Sequence, residues 1–150
     1  MDWQAELVAL YERSYRLHVR TAYAMVGSRH DAEEIVQDAV VALGRRWHDV
    51  ANPDAYLRRS VVNGAIGVLR RRETAGRHLP DPPPPDEPEH LVELRDALLA
   101  LPDRQRAAVV LRFVVGLDDA AIADVLDCRE GTVRSLVSRG LAALRAEVPR

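Results

Sequence analysis

Lysine is absent from this chain, cysteine occurs once, and aromatic residues fill only 5% of its 150 positions. A single cysteine, Cys128, cannot build an internal disulfide framework, and it fits a reducing compartment and a packing role better than a redox switch. With so few aromatics, aliphatic side chains and alanine must carry the packing, which favours helices over sheet. No apolar run approaches the roughly 18 residues of a membrane span. Met1-Asp2-Trp3-Gln4 leads straight into amphipathic sequence and has no signal-peptide pattern, so a soluble cytoplasmic protein without membrane insertion is expected. Chemistry-bearing clusters are missing as well. His18, His30, His48, His78, His90 and Cys128 have no metal-ligand spacing, and there is no glycine-rich phosphate loop. No nucleophile lies beside a plausible base, and Asp118-Asp119 reads as a helix start, not an acid/base pair. Neither an enzyme nor a cofactor is expected. The all-arginine basic set is what a GC-rich genome produces and carries no mechanistic weight.

Proline is present but segregated: Pro82 to Pro85 form one block, with long proline-free stretches on either side. Charge is segregated too. The net charge of -2 divides into 12 arginines against 10 acids over residues 1–78, four acids and no arginine over 79–90, and nine against nine over 91–150. An acidic tether therefore masks two neutral-to-basic modules, and local clusters matter more than the total. The expected organisation is a first module over residues 1–75, a flexible linker over 76–90, and a second module over 91–150.

The periodicity predicts an all-α protein with no strand. In the first module, Leu7, Leu10, Tyr11, Ser14, Leu17 and Thr21 share one helical face that continues through Ala24 and Met25 to a stop at Gly27. Ser28-Arg29-His30-Asp31 resembles a capping box with aspartate in the usual glutamate place. The second helix should bury Ile35, Val36, Ala39, Val40, Leu43 and Trp47. Asn52-Pro53 caps and opens a third helix through Tyr56, Leu57, Val61, Ala65 and Leu69 to Arg70-Arg71-Arg72. The proline block cannot be helical through its centre and reads as an extended spacer. With no apolar face on that tether, the two modules are expected to move independently unless a direct contact or a partner holds them. Beyond it, four short helices follow: Leu91 to Leu101, Pro102-Asp103 to near Gly116, one capped by Asp118, and one burying Val133, Val137, Leu141 and Leu144.

Three patterns carry candidate function. Ala121-Ile122-Ala123-Asp124-Val125-Leu126, the turn Asp127-Cys128-Arg129, and Glu130-Gly131-Thr132-Val133-Arg134-Ser135 read as a helix-turn-helix. Its second helix leaves Thr132, Arg134, Ser135, Ser138 and Arg139 outward, side chains suited to base edges and phosphates, although a solvated bundle helix has the same look. Glu34, Gln37 and Asp38 stand at i, i+3 and i+4 on one polar face, either a docking surface or plain solvent exposure. Arg58, Arg59, Asn63, Arg70, Arg71 and Arg72 run along the third helix, where nucleic-acid contact competes with a helix-dipole reason for the last three.

Taken together, these segments resemble the group IV, extracytoplasmic-function, sigma factors of the sigma-70 family, in the actinobacterial SigE-like group. Leu7 to Trp47, including Asp31-Ala32-Glu33-Glu34-Ile35-Val36-Gln37-Asp38, is similar to regions 2.1 and 2.2. Asn52-Pro53-Asp54-Ala55-Tyr56-Leu57-Arg58-Arg59 and Val62-Asn63 are similar to regions 2.3 and 2.4. Ala100-Leu101-Pro102-Asp103-Arg104-Gln105-Arg106 with the helix-turn-helix is similar to region 4. The resemblance covers nearly the whole chain, in order.

It implies a subunit that binds core RNA polymerase and directs promoter recognition, DNA melting and initiation. Glu34, Gln37 and Asp38 would grip the clamp helices of the largest subunit, and the second module would meet the β subunit flap. His48, Asp49, Val50, Ala51 and Asn52 would capture a flipped base of the −10 element, with Arg58, Arg59, Asn63, Arg70 and Arg71 along the strand-separation surface. Thr132, Arg134, Ser135, Ser138 and Arg139 would read the −35 element. Asp127, Arg129 and Leu136 depart from the usual turn and recognition residues, and Val62 and Gly67 from the usual region 2.4, leaving promoter preference open. An anti-sigma factor is an implied partner, with control by it or by synthesis expected over a built-in sensor. The alternatives are a sigma-like interaction module that does not drive initiation, and a free-standing helix-turn-helix regulator.

Overall fold

The computed structural model describes residues 2–75 and 80–147, and among these it contains seven α-helices and no strand. α1 (Trp3–Val26), α2 (Arg29–Arg45) and α3 (Pro53–Ala75) form the first module, with a 3₁₀ turn at Trp47–Asp49 between the last two. α4 (Glu89–Leu99), α5 (Asp103–Val110), α6 (Asp119–Leu126) and α7 (Glu130–Glu147) form the second, and α5 runs into a π turn at Leu111–Val115.

Local chemistry sets the helix boundaries. The Asp2 carboxylate accepts from the Gln4 amide at the start of α1. Gly27 stops that helix with φ +71°, a left-handed conformation that glycine adopts at little cost. Asn52 and Asp118 cap α3 and α6, accepting from the Ala55 and Ala121 amides at 3.1 and 2.9 Å. Asp127 ends α6 at φ +53°, a left-handed conformation that glycine favours and that aspartate is one of the few other residues to tolerate. The capping box at α2 is half made. The Asp31 amide donates to Ser28 Oγ, but the Asp31 carboxylate turns away to accept from Arg72 Nη2 at 2.6 Å. The amide of Arg29, another orphan of the first turn, donates to the Asp81 carboxylate at 2.8 Å.

The core of the first module is built from Leu10, Ala22, Met25 and Val26 of α1, Ile35, Val36, Ala39 and Leu43 of α2, and Leu57, Val61, Val62, Ala65, Ile66 and Leu69 of α3. Val40 and Trp47, expected inside, are half-buried, as are Leu141 and Leu144 of α7, where Gly140 takes the inward position against Val109. Cys128 is half-buried against the core.

In this structure the two modules are in direct contact. Their buried residues form one continuous apolar cluster, with α1 packed on α4 and α5, and α3 packed on α5 and α6. Arg106 of α5 is 5% exposed and donates across the boundary to the Met25 carbonyl, as well as to Leu98, Leu99 and Leu101 within its own module. The tether is itself tied down. The Asp81 amide donates to the Gly27 carbonyl at 2.8 Å, Arg95 donates to the Asp81 carbonyl, and Arg95 also stands over the Tyr23 ring. The attachment of the tether is polar, and the direct contact that the sequence reading left open is present between the modules. Residues 76–79 of the expected linker lie outside the described residues.

His18 is a further buried polar group, facing Arg58 and Asp54 of α3. Burial, reinforced by the Arg58 charge and partly offset by Asp54, pushes its pKa below the ordinary histidine value. The folded protein therefore takes up this proton less readily than the unfolded chain. Its contribution to stability is complete above the unfolded pKa of about 6.5 and is lost as pH falls from there towards the folded value. The melting temperature of the wild type should fall between about pH 7.5 and pH 5 more steeply than that of His18→Met, and parallel pH profiles would remove His18 as the cause.

Candidate functional site

Three surfaces collect the candidate residues. On α2, the inward turn of Ile35, Val36, Ala39 and Leu43 forces Glu34, Gln37 and Asp38 outward, and all three are exposed. His30 pairs with Glu34 at 3.4 Å along the same helix. Beside this face a groove of about 240 Å³ runs between α2 and α3, lined by Asp31, Glu34 and Asp38 on one side and Ser60, Gly64 and Arg71 on the other. The helices approach closely here because Gly64 has no Cβ; one built there would meet Ile35 Cγ2 at 3.1 Å.

The second surface joins the loop before α3 to the arginines along it. His48, Asp49, Ala51 and Asn52 are exposed, while Val50 is half-buried against the core. The Asn52 carbonyl oxygen is occupied as the α3 cap, leaving its NH₂ group for any ligand. Trp3 braces this loop, with its ring centroid 6.4 Å from Trp47 and 5.9 Å from His48. Periodicity along α1 gave no signal for that contact; the antiparallel return of α2, which carries Trp47 back to the start of α1, produces it.

Helical spacing divides the α3 arginines. Arg59, Asn63 and Arg70 stand at i, i+4 and i+11 and share a face. Arg58 is half-buried, with a buried Nε that has no hydrogen-bond partner. Arg71 faces the α2 groove beside Glu34 and Asp38, apart from the other arginines. Arg72 is structural: it bridges the Val26 carbonyl and the Asp31 carboxylate, both at 2.6 Å.

The third surface is on α7. Thr132, Arg134, Ser135, Ser138 and Arg139 are all exposed, held out by the burial of Val133, Val137 and Gly140. Arg134 is not free: its guanidinium lies 3.7 Å from the Asp119 carboxylate, which also pairs with Arg112. Arg112, Asp119, Arg134, Ser138 and Arg145 together border a groove of about 350 Å³. A surface this rich in guanidinium groups suits phosphate and base-edge acceptors.

Family models match both halves of the chain: Sigma-70 region 2 over residues 10–74 and Sigma-70, region 4 over residues 91–144. The RNA polymerase sigma-E factor of Streptomyces avermitilis is 34% identical over 139 residues, spanning 87% of this chain and 78% of that one. The chain belongs to the extracytoplasmic-function sigma factors of the sigma-70 family. It is, as such, a transcription initiation factor. The ECF RNA polymerase sigma factor SigE of Mycolicibacterium smegmatis is 32% identical, over 89% of this sigma factor and 56% of the relative. Among solved structures, SigJ of Mycobacterium tuberculosis superposes with a TM-score of 0.66 at 30% identity, over 91% of this chain and 52% of that one. The sigma factor RpoE of Bartonella quintana, solved with the anti-sigma factor NepR, gives a TM-score of 0.75 at 22% identity over 97% and 95%, a likeness of fold. No helix among the described residues is long and apolar enough to cross a membrane.

Proposed function

We propose that this sigma factor divides its work along the module boundary. The first module, residues 1–75, docks core RNA polymerase through Glu34, Gln37 and Asp38. The same module captures and melts the −10 element with the 48–52 loop and the Arg59, Asn63 and Arg70 face, flanked by Arg58 and Arg71. The second module, residues 91–150, reads the −35 element with the amino-terminal half of α7. The clamp helices of the largest polymerase subunit are the partner assigned to α2. An apolar contact, the β subunit flap, suits the second module, where Leu91, Leu94 and Phe113 are 41%, 44% and 59% exposed. An anti-sigma factor is the third proposed partner.

The α2 face supports this reading most directly. Three polar residues stand together on a rigid helix whose opposite side is fully engaged in the core, so the face is free for a partner and its position is fixed.

The test is promoter-dependent transcription by core polymerase with and without the chain, alongside the double variant Gln37→Ala/Asp38→Arg. Both positions lie outside the apolar stripe, so the variant should keep a normal helical spectrum. It should bind core polymerase at least about tenfold more weakly and lose transcription to match, as expected for central interface positions. Unchanged affinity in a folded variant would reject the α2 assignment. Core binding without transcription on any promoter would favour the interaction-module alternative.

A further inference from the structure

Both tryptophans of the chain meet at the loop assigned to the −10 base. α1 and α2 run antiparallel, and their seam is tight because Gly44 has no Cβ; one built there would meet Leu7 Cδ2 at 3.2 Å. About one helical turn further along this seam, Trp3 of α1 faces Trp47, with ring centroids 6.4 Å apart and planes at 32°. The Trp3 ring also meets His48, edge to face, at 5.9 Å and 69°. At both distances aromatic pairs attract beyond what area burial alone supplies. Trp47 and His48 belong to the 3₁₀ turn Trp47–Asp49, which closes as the Asp49 amide donates to the Arg46 carbonyl at 2.9 Å. On the far side of the loop, Asn52 caps α3, and Arg13 of α1 donates to the Asp54 carboxylate at 3.2 Å. α1 therefore holds the loop at both ends, with Trp3 before it and Arg13 behind it.

We propose that Trp3 is a positioning residue for −10 recognition: acting through the loop and not on the base, it fixes the Trp47–Asp49 turn so that the 48–52 loop meets a flipped base in one geometry. The inference rests on the reading of the 48–52 loop as the −10 capture site. Its physical basis is preorganisation. A flipped base has already lost its stacking, and a loop that had to be ordered on binding would lose conformational entropy at the same step. A loop fixed beforehand accepts the base whose polar edge matches and rejects one whose groups lie elsewhere; a mobile loop accommodates both. Trp3 thus sets discrimination more than grip. The Arg13–Asp54 pair is more than half exposed on both sides and adds little, so the aromatic contact is the main restraint that α1 supplies.

The experiment uses holoenzyme assembled from core polymerase and the full chain. Transcription is measured on one panel of promoters varied base by base in the −10 element and on a second panel varied in the −35 element. Trp3→Ala should compress the ratio between best and worst base at one −10 position about fivefold, the scale of one aromatic contact, and leave −35 discrimination and core affinity at wild-type values. Trp3→Phe, which keeps a ring, should retain most of the discrimination. In both variants Trp47 is the one remaining tryptophan, and acrylamide should quench it more readily in Trp3→Ala than in Trp3→Phe. If truncation unfolds the start of α1, Trp3→Leu, which keeps apolar bulk without a ring, takes the place of Trp3→Ala. Unchanged −10 discrimination would overturn the proposal, as would equal quenching, or a uniform loss on both panels, which a merely structural role produces. Asn52→Asp, which keeps the capping oxygen and removes the NH₂ group, separates the two readings. If it shifts −10 preference while Trp3→Ala does not, the loop reading stands and the brace falls. If neither it nor His48→Ala moves −10 preference, the loop reading falls and takes the brace with it.

Discussion

Arg106→Met should destabilise the protein by ~3 kcal/mol or more, the largest stability loss expected from a single substitution here. Arg106 is 5% exposed and donates to Leu98 at 3.0 Å, Leu99 at 2.6 Å and Leu101 at 2.7 Å, and to Met25 in the other module. Those carbonyls belong to the last turns of α1 and α4 and to Leu101, two residues beyond α4; the Leu98 carbonyl also accepts from the Leu101 amide at 3.1 Å, so the other three depend most on the guanidinium. One guanidinium thus caps two helix ends, and both helix dipoles favour its charge. Burial pushes its pKa down, yet arginine stays protonated at any ordinary pH, so the cation must be solvated by the protein itself. Methionine fills similar volume but leaves buried acceptors unpaired, each worth roughly 1–3 kcal/mol and not additive. Lysine keeps the charge but has no planar fork to span acceptors from two modules, so Arg106→Lys should recover only part of the loss. Urea unfolding of the three proteins decides the matter; a loss below about 1 kcal/mol for Arg106→Met would mean that water reaches these carbonyls.

The same arginine marks where reading the sequence stopped. Helix number and order, and the ends set by local caps, were legible because their causes are local: Gly27 for a left-handed stop, Asn52 and Asp118 for caps, apolar spacing for the inward faces. α4, without a side-chain cap, lies at Glu89–Leu99, two residues earlier than expected. The outward placement of Glu34, Gln37, Asp38 and the α7 side chains followed from that spacing. Nothing local sets Arg106 apart, since its acceptors include a carbonyl 81 positions away and no periodicity encodes that distance. His18 was missed for the same reason, because its burial depends on α3 and not on its neighbours in α1. Asp81 and Asp31 show the limit from another side. The pattern around Ser28 signalled a capping box, but a long-range partner, Arg72, captured the aspartate, and a linker carboxylate accepts from the Arg29 amide. Local rules named the groups needing partners, and tertiary contacts chose the partners.

The second large effect is expected at α7, where two arginines should fail in different ways. Arg134 and Arg139 are five residues apart, about 500° of helical rotation, so they point about 140° apart and cannot make equivalent contacts. Arg134 lies nearer the amino end, which enters the major groove in this motif, and is assigned to a base edge; Arg139 is assigned to phosphate. The Asp119 carboxylate, already paired with Arg112, steadies Arg134 from 3.7 Å at a side chain that is still 64% exposed. Such a loose, shared pair orients the guanidinium at little energetic cost when it turns to DNA. Arg134→Ala should therefore cost ~1–3 kcal/mol on the best −35 sequence and flatten discrimination at one base position. Arg139→Ala should weaken all −35 variants alike and lower the salt dependence by about one phosphate contact. Asp119→Ala should resemble a milder Arg134→Ala if it loosens only that side chain, with base preference blurred before affinity falls. Polymerase holoenzyme carrying each variant, measured on a panel of −35 sequences at two salt concentrations, separates these outcomes. Uniform weakening by Arg134→Ala across the panel would move it to the phosphate backbone and leave Ser135, Ser138 and Thr132 as the readers of sequence.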